Sequence, residues 1–267
     1  MHPIERLRYV ARAEGAGPSL LGRESAGALA TFSDDPAGLV TACRRLVERH
    51  LTAGTVWWLS ARVLASGDPS AEAWRAAEEL EDDPTAQVLA AALPDEATIV
   101  VVGWPEQAGD ALRRRADVEA LVVDSGGDGD AFARRLRTAE VDASEVPDSG
   151  VAAAAAEADL VILEAHALGP DGFLAAAGSH AAAAVAHHAG IPVWVVAGVG
   201  RVLPGRLWEA LLKQLDADED EPWDRPIEVV PLDLADTAYG PLGPSPAADA
   251  PKRADCPIAP ELLRPIT

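Results

Sequence analysis

The chain has 267 residues, 49% hydrophobic and 24% charged, a balance that supports a sizeable core and excludes a chain disordered by composition. Lys and Arg total 22 against 43 for Asp and Glu, a formal net charge of −21. A surface so acidic repels phosphate backbones, which excludes bulk nucleic-acid binding. Cys43 and Cys256 are the only cysteines, too few for a disulfide framework or a thiolate zinc site.

No run of about 20 apolar residues is present, so no membrane-spanning helix is expected. The first residues, Met-His-Pro-Ile-Glu-Arg, lack the basic-then-apolar pattern of a signal peptide, and the expected location is the cytoplasm. Only Lys213 and Lys252 among the bases are lysines. An acidic, lysine-poor surface suits a salt-rich cytoplasm, where screening is strong; a GC-rich genome that writes Arg for Lys leaves the same mark.

In chain order, the first part reads as helices. Residues 6–13 have helical character, interrupted by the glycines and proline of 15–18. Residues 36–51 carry Leu39, Val40, Cys43, Leu46 and Val47 at spacings of three and four, an amphipathic helix. Asp34 and Asp35 precede Pro36, an N-cap followed by proline in the first turn. Further helices are expected at 55–65, from Ser70 onward, and at 85–93 after the break Asp82-Asp83-Pro84.

After Pro94 strands and helices alternate. Strands are expected at 98–102, 120–123, 141–146, 160–163 and 193–196, with a final edge strand at 228–232. Helices are expected at 107–115, 130–138, 151–157, 175–188 and 207–215. The β-branched run at 98–102 marks a buried parallel strand. Strands joined by single helices imply right-handed βαβ crossovers, and hence an α/β, doubly wound, mostly parallel sheet. Its ligands bind beyond the carboxyl ends of the strands. Residues 240–251, rich in Pro, Gly and Ala, read as a loop or mobile arm. The apolar tail with Pro257, Ile258, Leu262 and Leu263 reads as a segment that docks on its own domain or on a partner.

Candidate chemistry clusters at strand ends. Glu164-Ala165-His166 closes a buried strand, and His166 is a candidate general acid/base because imidazole titrates near neutral pH. Asp171 is its candidate helper; alternatively Pro170-Asp171-Gly172 is an ordinary turn and His166 a packed residue. Gly178-Ser179, in the helical region after that turn, can hold a phosphate on backbone N–H groups of a helix start or simply permit close packing. Gly198-Val199-Gly200-Arg201 resembles a phosphate cradle, with Arg201 as the charged group, but does not complete GxGxxG. Trp104, at a strand end, faces a ligand cleft in this reading, beside Gly103. Gly126-Gly127-Asp128-Gly129 reads as a turn that caps a helix. The acidic run 216–221 lacks the glycine and terminal glutamate of a calcium loop. His180, His187 and His188 share a helix without an acidic partner, so no metal site is expected. No cofactor is expected either.

The stretch from Glu157 through Glu164-Ala165-His166 to Asp171-Gly172, then Gly178-Ser179-His180, and Gly190-Ile191-Pro192-Val193-Trp194, resembles the C-terminal half of the translation initiation factor 2B alpha/beta/delta family. That family includes methylthioribose-1-phosphate isomerase and ribose-1,5-bisphosphate isomerase. Val146-Pro147-Asp148-Ser149, Val229-Val230-Pro231 and the tail from Asp255 to Leu262 extend the likeness. Residues 1–94 then correspond to an N-terminal helical domain and 95–267 to a Rossmann-like domain. The resemblance implies homodimers formed through the C-terminal domains.

The departures bear on function. The isomerases carry a cysteine after the first strand, where this chain reads Val102-Gly103-Trp104-Pro105. Their Gly-Ala-Asp is matched by Glu164-Ala165-His166, and their Asn-Lys by Ala175-Ala176. What the resemblance retains is Asp148-Ser149, Asp171-Gly172 and Gly178-Ser179. Isomerisation needs groups that move protons between adjacent carbons, and both family groups are replaced. The expectation is a non-catalytic binding or regulatory homologue with a cleft for a sugar or nucleotide phosphate, a homodimer open to protein partners. The alternative is an aldose-ketose isomerase of altered chemistry, with His166 and Asp171 catalytic and Gly178, Ser179 and Arg201 on phosphate.

Overall fold

The computed structural model describes residues 18–32, 34–217 and 221–264. The helix expected at 6–13 and the middle of the acidic run 216–221 lie outside the described residues. Among the described residues five α-helices come first: α1 (Pro18–Leu29), α2 (Pro36–Arg49), α3 (Gly54–Ala65), α4 (Pro69–Glu81) and α5 (Thr85–Ala92). Two of them start as the sequence dictates. Asp35 and Asp68 each precede a proline in the first turn and accept from the N–H of Gly38 at 2.9 Å and of Ala71 at 3.0 Å, which satisfies N–H groups that a helix start leaves open.

Alternating strands and helices follow: β1 (Thr98–Val102), α6 (Glu106–Leu112), β2 (Glu119–Val123), α7 (Gly129–Thr138), β3 (Asp142–Val146), α8 (Val151–Glu157) and β4 (Leu160–Glu164). Then come β5 (Ala167–Leu168), β6 (Gly172–Ala176), α9 (Ser179–Ala189), β7 (Val193–Val196), α10 (Gly205–Asp216), β8 (Ile227–Pro231), β9 (Thr237–Gly240) and β10 (Gly243–Pro246). The main sheet has the order β10-β9-β7-β4-β1-β2-β3. All its pairs are parallel except β10 with β9. Counted within this sheet, the six parallel strands run 3-2-1-4-5-6, the doubly wound order. The order reverses between β1 and β4, the position where such sheets open a crevice.

Both faces of the sheet are covered. Ile99 and Val101 pack with Leu89, Phe132 and Leu136 on one side, and Val100 and Val102 with Ala155, Ala182 and Ala186 on the other. This is the period-two alternation of a strand buried on both faces. The N-terminal helices share a third core with the second half of the chain: Trp57, Trp58 and Leu46 join Leu174, Leu207, Trp208 and Leu262. The tail thus docks on α2 and α3, and Arg44 Nε donates to the Glu261 carbonyl at 2.7 Å.

Four segments differ from the sequence expectation. Residues 175–178 are not helical: the end of β6 and a turn lie there, and β6 is central in a small antiparallel sheet of order β5-β6-β8. Phe173 and Ala175 face one core while Leu174 faces the other, so no polar alternation betrays the strand. Strand β8 belongs to this small sheet and does not close the main one. Residues 240–251 are built into the fold as the end of β9, the strand β10 and a 3-10 helix, Ala247–Arg253. Two of their prolines, Pro244 and Pro246, sit on an edge strand, where a missing N–H costs no ladder bond. Helix α1 had no counterpart in the sequence reading.

Candidate functional site

The crevice between β1 and β4 is bounded by Gly103-Trp104-Pro105 after β1 and Glu164-Ala165-His166 at the end of β4. The Glu164 carboxylate occupies it. Its Oε2 accepts from the backbone N–H groups of Gln107 at 2.7 Å and Ala108 at 3.0 Å, at the start of α6. Its Oε1 accepts from Arg201 Nη1 at 2.7 Å. Negative charge at a helix start is favourable because the N–H groups there point outward unpaired.

Arg201 is 1% exposed. Nη1 also donates to the Ala165 carbonyl at 2.9 Å, and Nη2 lies 3.7 Å from a Glu106 carboxylate oxygen without a hydrogen bond. The turn that brings it inward depends on Gly200. That residue has φ +74, and a Cβ on it would meet the Trp58 ring at 2.8 Å, so both backbone and space call for glycine. Asp83 closes the same corner from the helical side. It accepts from Val199 N at 2.9 Å and Gln107 Nε2 at 3.1 Å, and from Thr85 N at 2.9 Å.

His166 follows directly. Its N–H donates to the Leu174 carbonyl at 2.7 Å, and its carbonyl accepts from Gly54 N at 2.9 Å, which ties β4 to the start of α3. Burial, and then the nearby Arg201 charge, push the imidazole pKa down to about 4; the ring is neutral at pH 7. Asp171 stands at the exposed tip of the β5–β6 hairpin, where its Oδ1 accepts from Trp208 Nε1 at 2.7 Å. Gly169 in the same tip lies against that indole, leaving no room for a Cβ. The structure places His166, Glu164 and Arg201 together and engages Asp171 with Trp208.

The other sequence candidates distribute around the carboxyl ends of the strands. Gly103 has φ +67, and its N–H donates to the Val123 carbonyl at 2.9 Å. Trp104 is 41% exposed, its ring 5.2 Å from Phe132 with the Arg135 guanidinium 5.7 Å away. It borders a cleft of about 540 Å3 between the helical part and α6. Gly178 has φ +97 and precedes α9, and Ser179 is buried. The N–H of His180 in that first turn donates to Glu228 Oε1 of β8 at 2.8 Å. Asp148 and Ser149 lie in a short 3-10 turn after β3, where Ser149 N donates to Asp148 Oδ1 at 2.6 Å.

Glu164, Asp83, Gln107 and Glu228 carry the polar geometry of these strand ends, and the sequence reading gave none of them a role. A carboxylate at the last position of a buried strand was the one available sign, in Glu164. Neither thiol is close to a reactive form: burial pushes Cys43 and Cys256 up to about 12. Among the described residues no cluster of three or more His, Cys, Asp or Glu suits a metal ion, and no helix is long and apolar enough to cross a membrane.

The fold has close counterparts. The translation initiation factor eIF-2B of Pyrococcus horikoshii OT3 superposes with a TM-score of 0.76 at 18% identity, covering 91% of this chain and 96% of that one. The eIF2B beta subunit of Chaetomium thermophilum gives 0.71 at 17% identity, covering 99% and 93%. A chain of the tetrameric eIF2B-beta2-delta2 complex from C. thermophilum gives 0.70 at 16% identity, covering 94% and 92%. Comparison with curated protein sequences finds no match. The model of the initiation factor 2 subunit family matches residues 71–221, more than half of the chain and the span that holds α5, the crevice and Arg201. The chain is a member of the initiation factor 2 subunit family.

Proposed function

We propose that this chain is a non-catalytic binding or regulatory member of its family, acting in the cytoplasm through association with a second copy or with other protein subunits. One observation carries the reading: the Glu164 carboxylate is seated on the α6 N–H groups at the β1–β4 crevice and ion-paired to Arg201. A phosphate entering there would meet a negative charge already holding the donors it needs. Glu228 does the same at the first turn of α9, beside the Gly178-Ser179 pair on which the isomerase alternative depends. The groups available for proton transfer point the same way. His166 is held neutral, with its basicity far below that of a free imidazole, and a general base works best with a pKa near the working pH. The segment after β1, Gly103-Trp104-Pro105, holds no cysteine, where the resemblance implies one in the isomerases.

The test is phosphorus NMR of ribose-1,5-bisphosphate with the purified protein, in low and in multi-molar salt. The expected result is no ketose-bisphosphate resonance in either. Conversion that is lost in His166→Ala would overturn the proposal and establish an isomerase. Substrate lines that broaden without conversion would leave a non-catalytic protein with an anion site.

A further inference from the structure

A cavity of about 580 Å3 opens beyond the carboxyl ends of β7 and β9, between the Ala197–Gly200 turn, the β9–β10 hairpin and the last turns of α4. It lies on the far side of β7 from the crevice filled by Glu164, and the function proposed above makes no use of it. Its volume is that of sites that enclose a small organic molecule.

Three features of the wall define what would enter. The lining is mainly apolar, with Val199, Val202, Ala238 and Leu242 among its residues. Two hydroxyls in it are unmatched. Tyr239 is 6% exposed, its ring tilted against Trp194 with centroids 4.6 Å apart, and its phenol has no hydrogen-bond partner among the described residues. Ser245 is 8% exposed, and its Oγ is likewise without a partner. Buried polar groups are normally paired, and one left unpaired, as Ser245 Oγ is, has a cost that a ligand's polar group would relieve, while the Tyr239 phenol lines the cavity with its hydrogen bond open to a ligand.

The third feature is charge. The rim carries Glu78, Glu79, Asp82 and Asp255 against Arg75 and Arg253. Most of these are already engaged: Glu79 with Arg62, Asp255 with Trp58 Nε1, Arg75 with Glu72, and Arg253 with the carbonyls of Gly243 and Pro244. Glu78 and Asp82, one turn apart on the exposed end of α4, have no side-chain partner among the described residues. The free charge facing this opening is therefore negative.

From these observations we infer that the cavity is a binding site for a small organic cation, with an apolar body lodged among Val199, Val202 and Ala238. A polar group within that body meets Tyr239 and Ser245, and an ammonium end lies at Glu78 and Asp82. An anionic molecule of the same size is disfavoured by the same rim.

Two dyes with one fluorophore and opposite charge test this: dansylcadaverine, an amine, and dansylglycine, a carboxylate. Titrated into the full chain at low salt, dansylcadaverine is expected to brighten and shift to the blue, with at least about 5-fold tighter binding than dansylglycine. Two carboxylates at an exposed rim, each contributing up to about a few-fold, account for such a ratio. Tyr239→Phe, which keeps the ring and its packing, is expected to weaken the amine dye by about 3- to 10-fold, the worth of one hydrogen bond. Glu78→Gln with Asp82→Asn, both on the surface, is expected to bring the two dyes to equal affinity. Absence of any dye response overturns the inference. So does equal binding of both dyes to the unaltered protein, or binding of the amine dye unchanged in both variants, which would place it elsewhere on the acidic surface.

Discussion

Replacing Glu164 by alanine removes the only carboxylate that, among the described residues, is in hydrogen-bond contact with Arg201, a guanidinium that is 1% exposed. What remains to Arg201 is one carbonyl, that of Ala165, and a Glu106 oxygen 3.7 Å away. Breaking a buried pair from one side costs about 3–5 kcal/mol, because the remaining charge stays out of water without compensation. The N–H groups of Gln107 and Ala108 also lose their acceptor, which adds about 1–3 kcal/mol if water does not reach them. A loss of about 4–8 kcal/mol is a large part of the 5–15 kcal/mol typical of folded proteins. At about 2–4 °C per kcal/mol for a chain of this size, the melting temperature should fall by about 8–32 °C.

Arg201→Met should cost less. Glu164 then keeps two charge-assisted hydrogen bonds from the start of α6, and methionine fills much of the volume of the arginine stem. The double variant should be more stable than Glu164→Ala alone, since no orphaned charge is left. Thermal and urea unfolding of the four proteins form a double-mutant cycle that reads this coupling directly. A melting-temperature drop of less than about 3 °C for Glu164→Ala, or a double variant less stable than both single ones, would refute the idea that Glu164 compensates Arg201.

Two further outcomes follow from the same region. His166 has its folded pKa lowered to about 4 from the ordinary 6.5, so between these values the unfolded chain binds more protons than the folded one. Stability should be full above pH 6.5 and fall as the pH drops toward 4, and urea midpoints for His166→Gln should show a flatter slope across that window. Gly200→Ala puts a side chain at φ +74 and against the Trp58 ring. It should destabilise the protein by about 2–4 kcal/mol, read by denaturant unfolding, since a left-handed non-glycine residue alone costs about 1–3 kcal/mol and the clash adds to it.

Much of the scaffold is written locally in the sequence. The run Thr98–Val102 is a strand because β-branched residues without a polar partner fit only a strand covered on both faces. The helices α2 and α4 begin where an aspartate stands before a proline, since both the cap and the fixed φ act within a few residues. The strand–helix alternation after Pro94 was enough to give a parallel, doubly wound sheet, because a crossover of that length has one favoured hand. The likeness around Glu164-Ala165-His166 led to the right family from one sequence.

What local pattern could not carry was pairing between distant segments. Strand β6 was invisible because both of its faces are buried, and its alanines read equally well as a helix. Strand β10 is made of glycine, proline and serine, and is a strand only because β9 lies beside it. The site shows the same division. The sequence placed His166 and Arg201 near strand ends, which follows from the topology of the sheet. That Arg201 turns inward onto Glu164, and that Glu228 reaches the first turn of α9 from another sheet, depends on contacts between residues 37 and 48 positions apart. Charge at a crevice is decided by which group fills it, and only the tertiary structure shows that this chain fills its own.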